Sequence, residues 1–137
     1  MPQNCSITSC QIPIRVRYCE VDRQNAVHHS VYPVYFEMGR TELLRINGLE
    51  YKHLEDEGVL LVVARLECRY RKAARYDDEL ILTTSLVRAD KARLEHKYEL
   101  TRPADNQLIA QGSTILVHID KAGKLQPMPQ FLTPVST

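Results

Sequence analysis

The stretch from Glu20 to Arg45, EVDRQNAVHHSVYPVYFEMGRTELLR, limits the possible folds more than any other part of the chain. Tyr32, Tyr35, Phe36, Gly39, Leu43 and, just beyond, Ile46 recur at the spacing that lines one face of a helix. Glu37, Arg40, Glu42 and Arg45 fill much of the remainder. Ser30 or His29 can act as the N-cap, and Pro33 is tolerated in a first turn whose N–H groups lack intrahelical acceptors. Asn47-Gly48 stops the run, with Gly48 suited to a left-handed C-cap. The pattern predicts one long helix, Val31 to Asn47, entered through a polar loop that carries Asp22.

The rest of the chain reads mainly as strands. Ile12, Ile14, Val16 and Tyr18 alternate with Pro13, Arg15, Arg17 and Cys19, the period of a half-buried strand that delivers the chain to Asp22. Tyr51 to Gly58 suggests one or two helical turns ended by Gly58. Val59 to Val63 is a continuous apolar run expected to start a buried strand, continued by Leu66, Cys68 and Tyr70 alternating with charged residues. Leu80, Leu82, Thr84 and Leu86 share one face of the next strand, and Leu94, His96, Tyr98 and Leu100 one face of another, with a reversal at Asp90-Lys91. A turn at 103–106 leads into Leu108 to Ile119, where Gly112 marks a bulge or a close backbone contact. The chain turns again at Asp120 to Gly123, and the tail with Pro127, Pro129 and Pro134 is unsuited to a central strand. One strand, one helix and four more strands with short links imply an α+β domain, an antiparallel sheet wrapped around a single helix.

At 137 residues and 44% hydrophobic the chain suits a single domain, 1–137, with a core over about 12–127 and flexible termini. A formal net charge of +1 gives no support for nucleic-acid binding, which calls for a strongly basic domain. Cys5, Cys10, Cys19 and Cys68 form neither a CxxC pair nor a disulfide framework, and are read as reduced thiols of a cytoplasmic protein. No 18-residue apolar run or signal-peptide pattern occurs, so membrane insertion is not expected. No two histidines stand at a metal spacing with a third ligand nearby, so no metal is expected. His53 is expected at the surface, and His96 and His118 are expected to be satisfied strand side chains.

The helix entry has a chemical use. The free N–H groups at a helix start carry partial positive charge and stabilise an oxyanion, and Asp22 lies close upstream. A carboxylate beside an anion-binding amide is the minimum kit for acyl transfer. An Asp before a turn also forms Asx-turns and caps, so Asp22 has a structural alternative. For Glu37 a structural role is favoured, such as an ion pair with Arg40.

Asp22, His29, Tyr32, Phe36-Glu37 and Arg40-Thr41-Glu42, followed by ARYDDELILTT from Ala74 to Thr84, occur in the order seen in one family. Over about Ile14 to Pro127 the chain resembles the hotdog-fold acyl-CoA thioesterases of the 4-hydroxybenzoyl-CoA thioesterase-like group. It departs from the family's pattern at Asn25, Val31 and Ala73, where Gly, Asn and Pro are frequent. The resemblance implies a hotdog fold with a five-stranded antiparallel sheet around one central helix. It implies hydrolysis of an acyl-CoA thioester with Asp22 as nucleophile or general base, an oxyanion-binding amide at or near His29, and a role for the His29 ring in orienting substrate or water. Coenzyme A enters as part of the substrate, with no other cofactor. Tyr32 and Phe36 are candidates for the acyl pocket, and Arg71, Lys72 and Arg75 for the CoA phosphates. A homodimer or homotetramer with joined edge strands is expected, because one small sheet leaves an edge unpaired. The alternatives are a hotdog hydratase or dehydratase, whose Asp-x-Asn-Pro-x-His motif is not matched, and a non-catalytic acyl-binding dimer.

Overall fold

The structure, a computed structural model, describes residues 6–133. Strand β1 (Ser9–Arg15) leads through a short 3-10 turn, Tyr18–Glu20, and a second one, His29–Val31, into helix α1 (Tyr32–Ile46). A short helix α2 (Tyr51–Asp56) follows, then β2 (Leu60–Tyr70), β3 (Glu79–Ala89), β4 (Leu94–Arg102), β5 (Gln107–Ile119) and the two-residue β6 (Leu125–Gln126). The strands form one antiparallel sheet in the order β1-β3-β4-β5-β2, with β6 added to β5. The expected five strands are present, and β6 is a sixth.

The long helix forms where its apolar period predicts. Tyr32, Tyr35, Phe36, Gly39 and Leu43 face inward, and Gly48 takes φ +80° at the C-terminus. Its entry differs from expectation, since neither Ser30 nor His29 caps it. The His28 side chain accepts from the Ser30 amide and caps the 3-10 turn that feeds α1. The sheet packs on the helix through Leu80, Leu82, Tyr98, Leu100 and Ile109, and the Phe36 ring stacks on Tyr98 at 4.3 Å. Gly112 is a close contact rather than a bulge: a Cβ there would collide with the Glu67 carbonyl and lie 2.6 Å from Phe36. The register shifts fall elsewhere, between Val63 and Arg65, Leu86 and Arg88, and Leu100 and Thr101.

Both ends of the ordered core reach further than about 12–127. Pairing starts at Ser9, and Asn47 exchanges two hydrogen bonds with the Ile7 backbone. Met128 and Leu132 are buried against Leu44, Leu49, Leu54, Leu94 and Leu116. Pro13 is accommodated because β1 is an edge strand. Cys5 and Pro134 lie outside the described residues. Among the described residues no helix is long and apolar enough to cross a membrane.

Strand β2 departs most from the sequence-based expectation. Val62, Val63, Leu66 and Tyr70 are exposed rather than buried. Val63, Leu66 and Tyr70 pair with Leu116, Thr114 and Ala110, all buried under the helix, so they point to the same inner face. Helix α1 covers this edge only in part, through contacts such as Tyr32 with Tyr70, and its own Val34 and Met38 are exposed as well.

His96 on β4 is also not the satisfied side chain expected. It is buried, its Nδ1 has no partner among the described residues, and burial together with the Arg40 charge pushes its pKa down to about 4. The unfolded chain, with an ordinary pKa near 6.5, then binds more protons than the folded one between pH 6.5 and 4. Stability should therefore fall as pH drops through that window, by about 2–3 kcal/mol at pH 4.5 relative to pH 7. Urea unfolding at the two pH values measures this, and the His96→Gln variant should show the smaller difference.

Candidate active site

Residues 20–28 form a small hairpin. Val21 bridges Val27, the His28 amide donates to the Glu20 carbonyl at 2.9 Å, and the Asp22 amide donates to the Ala26 carbonyl at 2.9 Å. Asn25 closes the turn at φ +59°, a left-handed conformation that Asn adopts more readily than most residues. Asp22 makes the Asx-type turn that its residue type favours. Its Oδ1 accepts from the amides of Gln24 (2.9 Å) and Ala26 (3.2 Å). The other oxygen, Oδ2, has no hydrogen-bond donor among the described residues, and the side chain is exposed. One carboxylate thus performs the structural role and still presents an oxygen outward.

The hairpin is held on both sides. Arg75 Nη1 donates to the carbonyls of Gln24 (3.1 Å) and Asn25 (3.4 Å), and the Tyr76 amide donates to Asn25 Oδ1 at 3.1 Å. The Val27 amide donates to the Ala74 carbonyl at 2.8 Å. Arg102 in turn fixes the 73–78 segment through the Ala73 carbonyl and Asp78. On the other side the buried Glu20 accepts from the Tyr35 hydroxyl at 2.8 Å and from the Arg17 amide at 2.7 Å. Burial, reinforced by the Glu20 carboxylate, holds the Tyr35 phenol well above its usual range, so it remains a donor.

His29 follows the hairpin as the first residue of the 3-10 turn. The amides of His28, Ser30 and Val31 all find acceptors, while that of His29 has none among the described residues. The His29 carbonyl accepts from the Tyr70 hydroxyl at 3.0 Å, and its ring lies 4.1 Å from that of His28. Asp22 pairs with Ala26 across the hairpin, and His29 follows Ala26 by three residues on the returning arm.

The remaining candidates divide. Tyr32 and Phe36 are buried in the core cluster, Tyr32 with its ring 5.2 Å from that of Tyr70, so neither reaches the surface of the single chain. They lie on the helix face that packs against the sheet, and a helical period marks such a face without saying what covers it. Arg71 and Lys72 are exposed at the end of β2 and form no ion pair among the described residues. Arg75 is spent on the hairpin carbonyls. Arg65 and Arg69 face Glu67 at 3.9 and 3.6 Å, the ordinary charged strand face expected.

The structure adds residues that the sequence reading passed over. Tyr18 and Tyr76, 78% and 50% exposed, meet edge to face at 5.6 Å and line an open cleft with Val21, Asp22, Arg23 and Asn25. Glu20, Asn25 and Arg102 hold the cleft's framework. The one available signal is that Tyr76 lies in the ARYDDELILTT motif; Tyr18, just before Glu20, carries none beyond its place in the strand alternation.

Residues 16–134 match the thioesterase-like superfamily. The chain is 32% identical over 117 residues to the acyl-CoA thioesterase YbgC of Haemophilus influenzae, covering 85% of this chain and 84% of that protein. It is 30% identical over 115 residues to the acyl-CoA thioester hydrolase YbgC of Escherichia coli, covering 84% of each. Among solved structures, a DHNA-CoA thioesterase from Staphylococcus aureus superposes with a TM-score of 0.81 at 26% identity, over 88% of this chain and 79% of that one. A 1,4-dihydroxy-2-naphthoyl-CoA thioesterase from Synechocystis reaches 0.84 at 18% identity, over 90% and 91%, a likeness of fold alone.

Proposed function

The chain belongs to the thioesterase-like superfamily and is a thioester hydrolase of hotdog fold, and from that premise we propose that it cleaves acyl-CoA to a carboxylic acid and free coenzyme A at Asp22. The observation that carries the residue assignment is the divided carboxylate. Oδ1 is anchored by two amides, and Oδ2 is turned out beside the cleft. Anchoring fixes the outer oxygen at no further cost when substrate arrives, which is what a nucleophile or general base requires.

The His29 amide, lacking an acceptor among the described residues, is the proposed oxyanion donor. The leaving thiolate has a pKa near that of cysteine, so a strong general acid is unnecessary. The His29 ring, next to its own amide, is positioned to orient substrate or water. Tyr32 and Phe36 contribute as the buried wall beneath the acyl group, and Arg75 is reassigned from phosphate binding to holding the Asp22 hairpin.

Arg71 and Lys72 are the proposed phosphate contacts. Reversing both charges should raise KM for acyl-CoA about tenfold and leave kcat within about twofold. Steady-state kinetics decides this, and a loss confined to kcat would remove the phosphate role.

The uncovered inner face of β2, with Val63, Leu66, Tyr70 and the neighbouring Val34 and Met38, suits a second copy of the chain added edge to edge. The site would then lie at the junction, since Tyr70 also touches His29. Scattering at micromolar concentration should give at least twice the chain mass, and Leu66→Asp should lower it. A monomeric wild type would contradict the assembly. The thiols Cys10, Cys19 and Cys68, unpaired in the structure, suit the cytoplasm, where acyl-CoA is also found.

Product analysis tests the reaction class. Incubation with acyl-CoA and with an enoyl-CoA should yield free acid and free CoA in equal amounts. A hydroxyacyl product that retains its CoA would instead identify a hydratase.

A further inference from the structure

A second polar cluster lies away from the Asp22 cleft, between the middle of α1 and strand β4. Arg40 projects from α1 into the interior and is only 8% exposed. Its Nη1 has no hydrogen-bond partner among the described residues, and its Nη2 stands 3.9 Å from Glu37, a carboxylate at the surface. Tyr51 and Tyr98 neighbour the guanidinium, but their hydroxyls are neutral and cannot balance its charge. Across from it His96, 6% exposed, also presents an unpartnered nitrogen, Nδ1.

Both side chains line the same small cavity. Its volume is about 20 Å³, and its other walls are largely leucine, including Leu43, Leu61, Leu94 and Leu116. That space admits one small ion or one water and nothing larger. An open groove lined by Glu37, Thr41, Glu55 and Val63 shares Arg40, Tyr51, Leu61 and Leu116 with the cavity, which supplies a route in from the surface.

Charge decides between the two occupants. A guanidinium removed from water needs a counter-charge; its carboxylate neighbour Glu37 is exposed and 3.9 Å from Nη2, and none lies within hydrogen-bond distance of Nη1. Water would satisfy the N–H groups but leave the charge balanced only by Glu37, which is at the surface and screened by solvent. A monatomic anion satisfies both, with Arg40 Nη1 as one donor and His96 Nδ1–H, in that tautomer, as another. Apolar walls favour a weakly hydrated ion over one that holds its water shell tightly.

We propose that the cavity between Arg40 and His96 is a binding site for a halide-type monovalent anion, chloride being the available one, separate from the thioester site. It locks α1 to β4 through the ion and owes nothing to catalysis.

The test uses the intact protein and two readouts. The first is thermal unfolding in sodium chloride against sodium gluconate at equal ionic strength, gluconate being too large for the cavity. Wild type should show a midpoint that rises saturably with chloride by a few degrees, and Arg40→Met, if folded, should lose that dependence. The second needs no variant: crystals of the wild type grown in sodium bromide should show an anomalous peak between Arg40 Nη1 and His96 Nδ1. Equal midpoints in chloride and gluconate would overturn the proposal, as would a bromide map without a peak there. An equal chloride response in Arg40→Met would do the same.

Discussion

Asp22→Asn should lower kcat for acyl-CoA hydrolysis by about 10³-fold, equivalent to ~4 kcal/mol of barrier, while KM stays within about twofold. The variant is a clean one because the amide oxygen of Asn can still accept from the Gln24 and Ala26 amides that close the hairpin. The turn, the Arg75 contacts and the cleft should therefore survive, and only the outward carboxylate oxygen is replaced. Thermal unfolding beside the kinetics separates the two effects. A large loss of stability would mean that the structural half of the Asp22 role dominates. An intact fold with near-normal turnover would exclude Asp22 from the chemistry.

The largest effect on stability is expected at Gly112. Strand β5 passes so close to β2 and α1 here that a Cβ would press on the Glu67 carbonyl and on Phe36. The carbonyl belongs to a paired strand and cannot swing aside, and Phe36 is stacked on Tyr98. Gly112→Val should therefore cost roughly 3 kcal/mol, a large share of a typical domain's stability, and lower the melting midpoint by about 10 °C. Phe36→Leu in the same chain should recover part of the loss, since one of the two collisions is then relieved. A Gly112→Val protein as stable as the wild type would mean that β2 and β5 separate more easily than their register implies.

The fold was legible because its signals are local. The alternation along β3 and β4 survives intact in the buried faces of Leu80, Leu82 and Thr84 and of Leu94, His96, Tyr98 and Leu100. The α1 period and the Gly48 stop are equally direct. What failed was whatever depends on the neighbour. An apolar strand reads the same whether its own helix or another chain covers it, and so β2 was expected to be buried when Val62, Val63 and Leu66 are exposed. Helix α1 covers that edge only in part, which no local pattern encodes.

The site was legible in part for the same reason. The hairpin that carries Asp22 and the turn that carries His29 follow from short-range chemistry. Charge patterning marks Arg75 as a cation without showing which oxygens face it, and in the structure the Gln24 and Asn25 carbonyls do. Glu20 was invisible because nothing local distinguishes a carboxylate that will meet Tyr35, fifteen residues on, from one in solvent. Tyr32 and Phe36 carried the helical period of core residues and are core residues, whereas the aromatic side chains beside Asp22 are Tyr18 and Tyr76.

The most direct measurement is thiol release, followed with a colorimetric thiol reagent, from a panel of short and long aliphatic acyl-CoAs, benzoyl-CoA and hydroxybenzoyl-CoA, with wild type and Asp22→Asn side by side. The structure predicts turnover of at least one acyl class by the wild type and its near-complete loss in the variant. A folded, oligomeric wild type that releases thiol from none of them, or a variant that matches it, would contradict the account.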